Sequence, residues 1–409
     1  MVDAWSHFVG VDWASAEHEV CVLDGEGKQV DARAVKHSGD GLAELCGWLA
    51  AKGEARSIAV AIEVPHGSVV ETLLDRGFTV FSINPKQLDR FRDRFTLAGA
   101  KDDRRDAMVL AASLRTDHHL FRRLSPQPAK VIALREWSRM HDELQSERNG
   151  LVNQIRAQLS RYYPAFLAVA ADPGEDWAAK LFAKVPSPDL AARVRVSTIR
   201  NLLKSCRIRR ISAEEVLSAL RQRPVFSAPG TAEAAQSHLR FLYQRVTLVN
   251  TQVSACKKRM EAQIEDLGED PDEEGLTSGS DVRILQSLPG VGVIVASVLI
   301  GEASEAISKR DYNALRALAG VAPVTKRSGK KKQVVMRTAC HPRLRNALYH
   351  WARVATMNDK ICKDRYAALR ARGKSHGQAL RTVSDRLLGV LCAMLKTKTL
   401  FRASEEIAA

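Results

Sequence analysis

The hydrophobic positions of the first 115 residues follow two periods. Alternating or continuous short apolar runs predict strands at 7–13, 19–24, 29–37, 57–64 and 78–83. Apolar residues that recur every three or four positions predict helices at 41–52, 72–76 and 103–114. Three strands that can form hairpins, followed by strand–helix units, predict a mixed α/β sheet with helices on its faces. We expect this α/β domain to cover residues 1–125.

The middle of the chain carries two long helical stripes, at 129–163 and 237–267. Between them, residues 165–231 show shorter helical patterns interrupted by prolines. Two long helices with such an insert predict a coiled-coil arm, although the same stripes fit the core of an intramolecular bundle. We expect this helical region to cover 126–267. The acidic stretch 268–281 contains Gly and Ser and predicts a linker.

The last region, 282–409, holds the positive charge of the chain. It contains 24 Lys and Arg against eight Asp and Glu, a net charge of +16, whereas the preceding 281 residues have a net charge of −1. Its pattern is helical apart from one lysine-rich loop, so we expect an all-α basic domain. A domain this basic typically faces a polyanion, and nucleic acid is the commonest one.

Composition excludes several classes of protein. A chain of 409 residues exceeds what one core usually supports, which favours several domains. No apolar run reaches the length of a membrane span, and the longest, 291–300, is interrupted by Gly292. The seven cysteines are isolated, which argues against a disulfide framework or a zinc ribbon. Without a basic, apolar leader either, we expect a cytoplasmic protein with no membrane partner.

Four carboxylates stand where metal chemistry would need them. Asp12 and Glu63 end two apolar strand patterns, and Asp103 and Asp106 share one face of a helix at i and i+3. Carboxylate oxygens bind hard divalent cations, and two such ions can support displacement at phosphorus. Asp102 is an alternative to Asp103, because i and i+4 also share a helix face. The alternative interpretation is turn-forming strand ends and a solvated helix surface.

Basic and glycine residues suggest contacts with phosphate. Lys101, Arg104 and Arg105 flank the helical carboxylates, where they would touch phosphate or form surface ion pairs. In Ser-Leu-Pro-Gly-Val-Gly-Val, Gly290 and Gly292 allow a tight turn that points N–H groups outward at the start of a helix. This predicts a helix-hairpin-helix-like turn on a DNA backbone, unless it is an ordinary glycine turn.

A serine lies in the most basic stretch, 320–332. Ser328 has five cationic neighbours, namely Lys326, Arg327, Lys330, Lys331 and Lys332. Cations stabilise both an alkoxide and the charge that develops on phosphorus, so Ser328 is a candidate nucleophile, with Thr325 less plausible. The alternative is a loop serine in a phosphate-binding patch. Arg343 and Arg345, at the start of the next helix, are expected to contact backbone phosphate.

Several of these blocks resemble a known family. GVDWA, IEVPHG and KDDRRDA resemble the acidic blocks of the DEDD transposases of the insertion-sequence one-ten family, which are similar to the Piv-type DNA invertases. LPGVG, LAGVAP, SGK, LRNALYHWA and RYAALRARGK resemble the C-terminal transposase domain of that family. The resemblance covers about residues 6–115 and 283–400. The insert near 165–231 is larger than is usual for the family.

The resemblance implies a RuvC-like (RNase H-like) N-terminal domain with two Mg²⁺ ions, which Mn²⁺ could replace. Asp12, Glu63, Asp103 and Asp106 match the metal ligands, and Ser328 matches a serine that forms a covalent 5′-phosphoserine link to DNA. The family pairs a structured bridge RNA with double-stranded donor and target DNA. The resemblance also implies a homodimer that assembles to a homotetramer through the long helices. It implies a protein of the bacterial cytoplasm that is associated with the nucleoid when active.

The function predicted is therefore that of an insertion-sequence transposase that cuts and rejoins DNA with RNA-guided site choice. A RuvC-like endonuclease or junction resolvase that uses metal-activated water is the main alternative. A third possibility is a nucleic-acid-binding protein without activity.

Overall fold

A computed structural model describes residues 5–94, 102–228, 230–269, 279–329 and 331–402. The chain forms two compact units, Met1–Gln127 and Pro128–Ala409. None of the helices in these described ranges combines the length and apolar character of a membrane-spanning helix.

A six-stranded mixed sheet forms the first unit. Its strands are β1 (His7–Asp12), β2 (Glu17–Asp24), β3 (Gln29–Lys36), β4 (Ile58–Ile62), β5 (Thr79–Ser82) and β6 (Arg122–Arg123). They lie in the order β3-β2-β1-β4-β5-β6. The pairs β1–β2, β2–β3 and β5–β6 are antiparallel, whereas β1–β4 and β4–β5 are parallel. The predicted mixed sheet is confirmed, and the two-residue β6 was not predicted.

Helices cover both faces of the sheet because its side chains alternate. These helices are α1 (Gly39–Ala50), α2 (Ser68–Asp75), α3 (Pro85–Arg92) and α4 (Asp103–Asp117). Val9 and Val11 join the core under α1 and α2. Phe8 joins the core under α3 and α4. Asp12 has the same parity as Phe8 and Gly10, so it points to the α4 side.

Two long helices, α5 (Ala129–Tyr162) and α11 (Thr231–Glu269), pack along each other in the second unit. They contribute to two separate cores. One end of the pair packs with the insert helices, which are α6 (Ala165–Val169), α7 (Asp176–Lys184), α8 (Pro188–Arg193), α9 (Val196–Ser205) and α10 (Ala213–Leu220). At the other end, Val131, Leu134 and Met260 belong to the core of the basic region. The predicted middle and basic regions therefore form one unit.

The basic region is mostly helical, as predicted. It contains α12 (Gly279–Ser287), α13 (Val293–Ser308), α14 (Tyr312–Leu318), α15 (Pro342–Asn358), α16 (Lys360–Ala371) and α17 (His376–Thr397). The prediction that it is all-α is wrong, because the lysine-rich loop is an antiparallel hairpin of β7 (Val324–Ser328) and β8 (Lys331–Val335). Most side chains of the two strands are polar and their apolar residues do not alternate with polar ones, so the sequence pattern did not show the strand period.

Both ends of the predicted acidic linker are helical, so its bounds are wrong. Gly268 is buried in the last turn of α11. Asp281 lies in α12, where its carboxylate is 2% exposed and pairs with Arg310 at 2.7 Å. Packing of Gly268 and the buried ion pair of Asp281 with Arg310 accompany the helical ends of this stretch. The predicted linker residues 270–278 lie outside the described residues.

Candidate functional site

The four predicted carboxylates lie at one edge of the sheet and at the start of α4. Asp12 is the last residue of β1, and Glu63 directly follows β4. The two strands are parallel neighbours, with Val11 opposite Ile62, so their carboxyl ends meet at the same edge. Asp103 and Asp106 occupy the first turn of α4. We call Asp12, Glu63, Asp103 and Asp106 the acidic site.

Gly10 brings α4 against β1. A β-carbon at Gly10 would lie 1.9 Å from the carbonyl oxygen of Ala107 and 2.7 Å from the amide nitrogen of Ala111. Only glycine permits this approach, since any side chain would displace the helix backbone. Asp12 is two residues beyond Gly10 on the same face, and Asp106 immediately precedes Ala107. A glycine inside a strand signals such close packing, and this signal was missed in the sequence.

The electrostatics of Asp12 connect the four carboxylates. Its pKa rises to about 6, first because of burial and then because of the negative charges of Asp106, Asp103 and Glu63. The positive charge of Arg92 opposes this rise. The acidic site thus concentrates negative charge that the fold neutralises only in part.

Arg92 supplies that partial neutralisation, and sequence analysis did not single it out. Asp106 is almost fully buried, and both of its carboxylate oxygens accept hydrogen bonds from Arg92, at 2.6 Å from Nε and 2.8 Å from Nη2. Arg92 also pairs with Asp89 on its own helix. A buried carboxylate requires a partner, but a sequence with many arginines does not reveal which one reaches it.

Asp102 and Asp103 differ in their surroundings. The Asp102 carboxylate caps α4 and accepts a hydrogen bond from the amide of Arg104 at 3.3 Å. Asp103, unlike Asp102, is among the groups that raise the pKa of Asp12. The structure therefore gives Asp102 a capping role and places Asp103 with the acidic site.

The basic residues beside these acids differ in exposure and contacts. Arg104 is exposed and lies 3.7 Å from Glu19, which pairs in register with Asp12 on β2. Glu19 is a carboxylate near the site that sequence analysis missed. Arg105 is half-buried. Lys101 lies outside the described residues.

The acidic site offers only oxygen donors, which is the chemistry that Mg²⁺ and Mn²⁺ prefer. Its excess negative charge also fits a divalent cation. Within the ranges that the structure describes, however, no three such side chains are gathered closely enough to form a ready metal-binding group. Arg92 engages both oxygens of Asp106. The donor set fits a hard cation, whereas the observed arrangement of the donors does not yet enclose one.

The predicted glycine turn joins α12 to α13, and its two glycines differ. Gly290 has a φ of +83°, and a β-carbon there would lie 2.8 Å from the amide of Ala355 on α15. The neighbouring Pro289 carbonyl accepts a hydrogen bond from Trp351 at 3.0 Å. Gly290 thus serves packing against α15. Gly292 is exposed at the N-cap of α13 and leaves space in front of the helix amides.

Ser328 lies on an exposed hairpin, residues 324–335, which we call the serine hairpin. It ends β7 and pairs with Lys331, while Lys326 pairs with Gln333. Side chains alternate along a strand, so Lys326 and Lys331 share the face of Ser328. Arg327 and Lys332, which pair with each other, point to the opposite face.

Three further features of the serine hairpin are the Ser328 hydroxyl, the side chain of Thr325 and the turn. The Ser328 hydroxyl is exposed and has no hydrogen-bond partner among the described residues. Thr325 lies on the face opposite Ser328. The turn contains Gly329, with a φ of +54°, and Lys330, which lies outside the described residues.

Arg343 and Arg345 use their side chains within the protein. Arg343 donates to Asp142 at 2.7 Å and to Ser138 at 2.7 Å, and it also pairs with the buried Glu302. Arg345 donates to the carbonyl of Thr338 at 3.0 Å. The contacts of Arg343 join α15 to α5 and α13, and that of Arg345 holds the segment before α15, so both arginines have a structural role that the sequence did not suggest.

Comparisons with known proteins add a second line of observation. A family model described as a transposase, of the DEDD IS110 type, matches residues 9–164. A second model, described as the transposase IS116/IS110/IS902 family, matches residues 282–367. The two matches together cover the acidic site and the serine hairpin.

Individual relatives match all or part of the chain. The chain is 31% identical over 407 residues to the candidate mini-circle transposase for IS117 of Streptomyces coelicolor, covering 98% of this chain and 96% of that protein. It is 28% identical to the 43.6 kDa protein of insertion element IS110 from the same organism, over 97% and 95% of the two chains. A candidate transposase of Sinorhizobium fredii, y4uE, is 54% identical over 216 residues, which is 52% of this chain and 60% of that protein.

Proposed function

Because the chain belongs to the IS116/IS110/IS902 family of transposases, we propose that it cuts and rejoins DNA to move an insertion sequence. The observation that carries the proposal is the grouping of Asp12 with Glu63, Asp103 and Asp106 around one electrostatic centre. Carboxylates grouped in this way are the usual equipment for phosphodiester chemistry.

The first unit is proposed to be an RNase H-like (RuvC-like) catalytic domain. Its support is the strand order, with an antiparallel β2 at one side of β1 and the parallel β4 at the other. The acids at the end of β1, directly after β4 and on α4 are a second support for this assignment.

The acidic site is proposed to hold divalent cations, with two Mg²⁺ ions as the physiological choice and Mn²⁺ as a substitute. When bound, such ions neutralise charge on the phosphate and on the leaving oxygen. Asp12 and Glu63 would contribute oxygens from the sheet edge, and Asp103 from α4. For Asp106 to contribute, Arg92 would have to release its carboxylate, since it engages both oxygens.

Ser328 is proposed as the nucleophile. Its oxygen attacks phosphorus, the bond from phosphorus to the 3′ oxygen breaks, and a 3′ hydroxyl leaves with a proton. The result is a 5′-phosphoserine link, and attack by another 3′ hydroxyl reverses it and frees the serine. Lys326 and Lys331 support this role, because they share the face of Ser328 and would stabilise charge on the phosphate.

A homodimer that assembles to a homotetramer is proposed through the long helices. Phe241 and Leu248 on α11 are 64% and 58% exposed, and a separation of seven residues places them on one helix face. We also propose that a guide RNA chooses donor and target sites, because backbone contacts from glycine and lysine residues carry no base information.

A water-using nuclease is the second candidate. It is favoured by the contrast between the acidic site, whose four carboxylates interact electrostatically, and Ser328, whose hydroxyl has no partner within the described ranges. In that case Ser328 would only bind phosphate.

The test is a denaturing gel of the protein with guide RNA, Mg²⁺ and labelled donor and target DNA. Wild type is compared with Ser328→Ala, Asp12→Ala and, as a matched hydroxyl control, Thr325→Ala. A covalent protein–DNA adduct that Thr325→Ala retains and the other two variants lose supports the serine mechanism. Nicked DNA without an adduct, retained in Ser328→Ala and lost in Asp12→Ala, assigns water as the nucleophile.

A further inference from the structure

The insert contains a strongly basic stretch that the proposed catalytic function does not use. Between Arg193 and Arg210 there are seven Lys and Arg and no Asp or Glu. We call residues 193–210 the basic segment. It begins at the end of α8, includes all of α9 and continues into the following loop.

All seven cationic side chains are exposed, and the fold holds their backbone in place. They are Arg193, Arg195, Arg200, Lys204, Arg207, Arg209 and Arg210. Ile199, Leu202 and Leu203 bury the other side of α9 in the core of the insert. Arg221 donates to the carbonyls of Ala191 at 2.9 Å and Val194 at 2.8 Å, which fixes the chain before α9.

Most of these charges have no counter-ion in the part of the chain that the structure describes. Arg200 pairs with Glu214, and Arg210 pairs with Glu175 at 2.8 Å. The other five form no ion pair within the described ranges. Uncompensated cations crowded on one short stretch repel one another, so a partner with negative charge would stabilise them.

Arg207 adds a second, independent observation. It has a φ of +57° at the end of α9, where its amide bonds to the Lys204 carbonyl and the next amide, of Ile208, bonds to the Leu203 carbonyl. This is the Schellman motif, whose left-handed position favours glycine. An arginine there strains the backbone, and strain of this kind is typically retained for a function of the side chain.

Arg310 has the same strained backbone conformation elsewhere in the chain, and there an internal contact accounts for it. It has a φ of +52° in the same motif, after α13. Its guanidinium binds the buried Asp281 at 2.7 and 2.8 Å, so an internal ion pair compensates the strained backbone. Arg207 has the same backbone geometry but no such acid within the described residues, which indicates a partner outside the chain.

We propose that the basic segment binds the phosphate backbone of duplex DNA without reading its bases. Arginine guanidinium groups match phosphate geometry, and the α9 amides, which no described side chain caps, add donors beside Arg195. A membrane surface fits less well, because the apolar side of α9 is buried in the core and is not available to enter lipid. The choice of DNA over RNA rests on the proposed function.

The test measures duplex binding by fluorescence anisotropy, with the full chain, a 30-base-pair DNA and EDTA, over a range of salt concentrations. The variant Arg193→Gln/Arg195→Gln/Lys204→Gln is compared with Lys257→Gln/Lys258→Gln/Arg259→Gln, which removes equal charge from an exposed run of α11. We expect the first variant to weaken binding roughly 10- to 100-fold and to reduce the salt slope by about two to three. The control should change affinity far less.

The variant Arg207→Gly distinguishes an effect on DNA binding from an effect on folding. Glycine relieves the strained backbone, so the unfolding temperature should rise by about 2 °C while DNA affinity falls several-fold. Arg310→Gly should lower the unfolding temperature, because it leaves Asp281 unpaired, and should leave affinity unchanged.

Equal affinity and salt slope in the two triple variants would overturn the proposal. So would an affinity loss confined to a matched RNA duplex, which would assign the surface to RNA. Because EDTA prevents metal-dependent chemistry, these outcomes are independent of whether Ser328 or water is the nucleophile.

Discussion

In the N-terminal unit, the acidic site lies at the carboxyl edge of the sheet and in the first turn of α4, a helix that packs closely against β1 at Gly10. In the C-terminal unit, Ser328 lies on two exposed strands whose side chains carry mainly positive charge. Substitutions in the acidic site therefore alter the stability of the fold, whereas substitutions on the serine hairpin alter little except charge and reactivity. This difference allows structure and chemistry to be tested separately.

The most disruptive change is Gly10→Ala. The added β-carbon would overlap the Ala107 carbonyl, so α4 must move and carry Asp103 and Asp106 away from Asp12. We expect the free energy of unfolding to fall by about 3 kcal/mol, with loss of DNA cleavage. Urea denaturation measures the first effect. Gly25→Ala, where a β-carbon meets no atom within 4 Å, is the control, and equal stability of the two variants would contradict the packing argument.

The next largest loss of stability is expected for Arg92→Gln. It leaves the buried Asp106 without its cationic partner, which should cost about 2–3 kcal/mol in metal-free protein. Arg90→Gln on the same helix is exposed and should be neutral. Adding Asp106→Asn to Arg92→Gln should recover much of the loss, as a double-mutant cycle of unfolding free energies can measure. Simple additivity of the two changes would show that the pair is not coupled.

Asp12→Asn should stabilise metal-free protein at neutral pH. The pKa of Asp12 is about 6 in the folded state against 3.8 in the reference state. The folded form thus binds the proton more tightly, and stability falls as pH rises through this window. Asparagine has no charge and avoids the cost of ionising this carboxyl group in the folded state. The free energy of unfolding of the variant should therefore be higher by about 1 kcal/mol near pH 7.5 and unchanged near pH 4. Thermal unfolding in EDTA over this pH range measures the gain in stability, and a gain independent of pH would contradict the raised pKa of Asp12.

The smallest effect on stability is expected at the serine hairpin. Lys326→Gln/Lys331→Gln and Arg327→Gln/Lys332→Gln should each change the free energy of unfolding by less than about 0.5 kcal/mol. The first pair shares the face of Ser328, so it should reduce adduct formation roughly tenfold, and the second pair about two- to threefold. Adduct yields on a denaturing gel measure both, and equal losses would show that the strand faces do not matter.

The sheet and the strand-end acids could be predicted because local patterns encode them. Short apolar runs predicted β1 and β4, and each run leads to a carboxylate at the carboxyl edge, Asp12 at the end of β1 and Glu63 directly after β4. The helical pair on α4 was equally visible, although the distinction between Asp102 and Asp103 needed the capping geometry of the helix.

Features that depend on distant parts of the chain could not be predicted. Arg343 was expected to face phosphate, but it meets Asp142, 201 residues earlier in the sequence, because α5 packs near α15. The hairpin was missed because polar side chains occupy both faces along most of its length, and this hides a period of two. Its pairing register, which decides which lysines share the face of Ser328, comes from the backbone alone.

The two long helices belong to two cores that share no residue, one with the insert and one with the basic region. Each helix is about 50–60 Å long, so the junction between the cores lies well inside the paired helices. Insertions or deletions within 165–230 therefore fall at the end of a helical pair and leave the other core intact. Such an architecture lets one lineage exchange the tip of the pair as a module, and lets an engineer shorten or replace it, while the basic region keeps its fold.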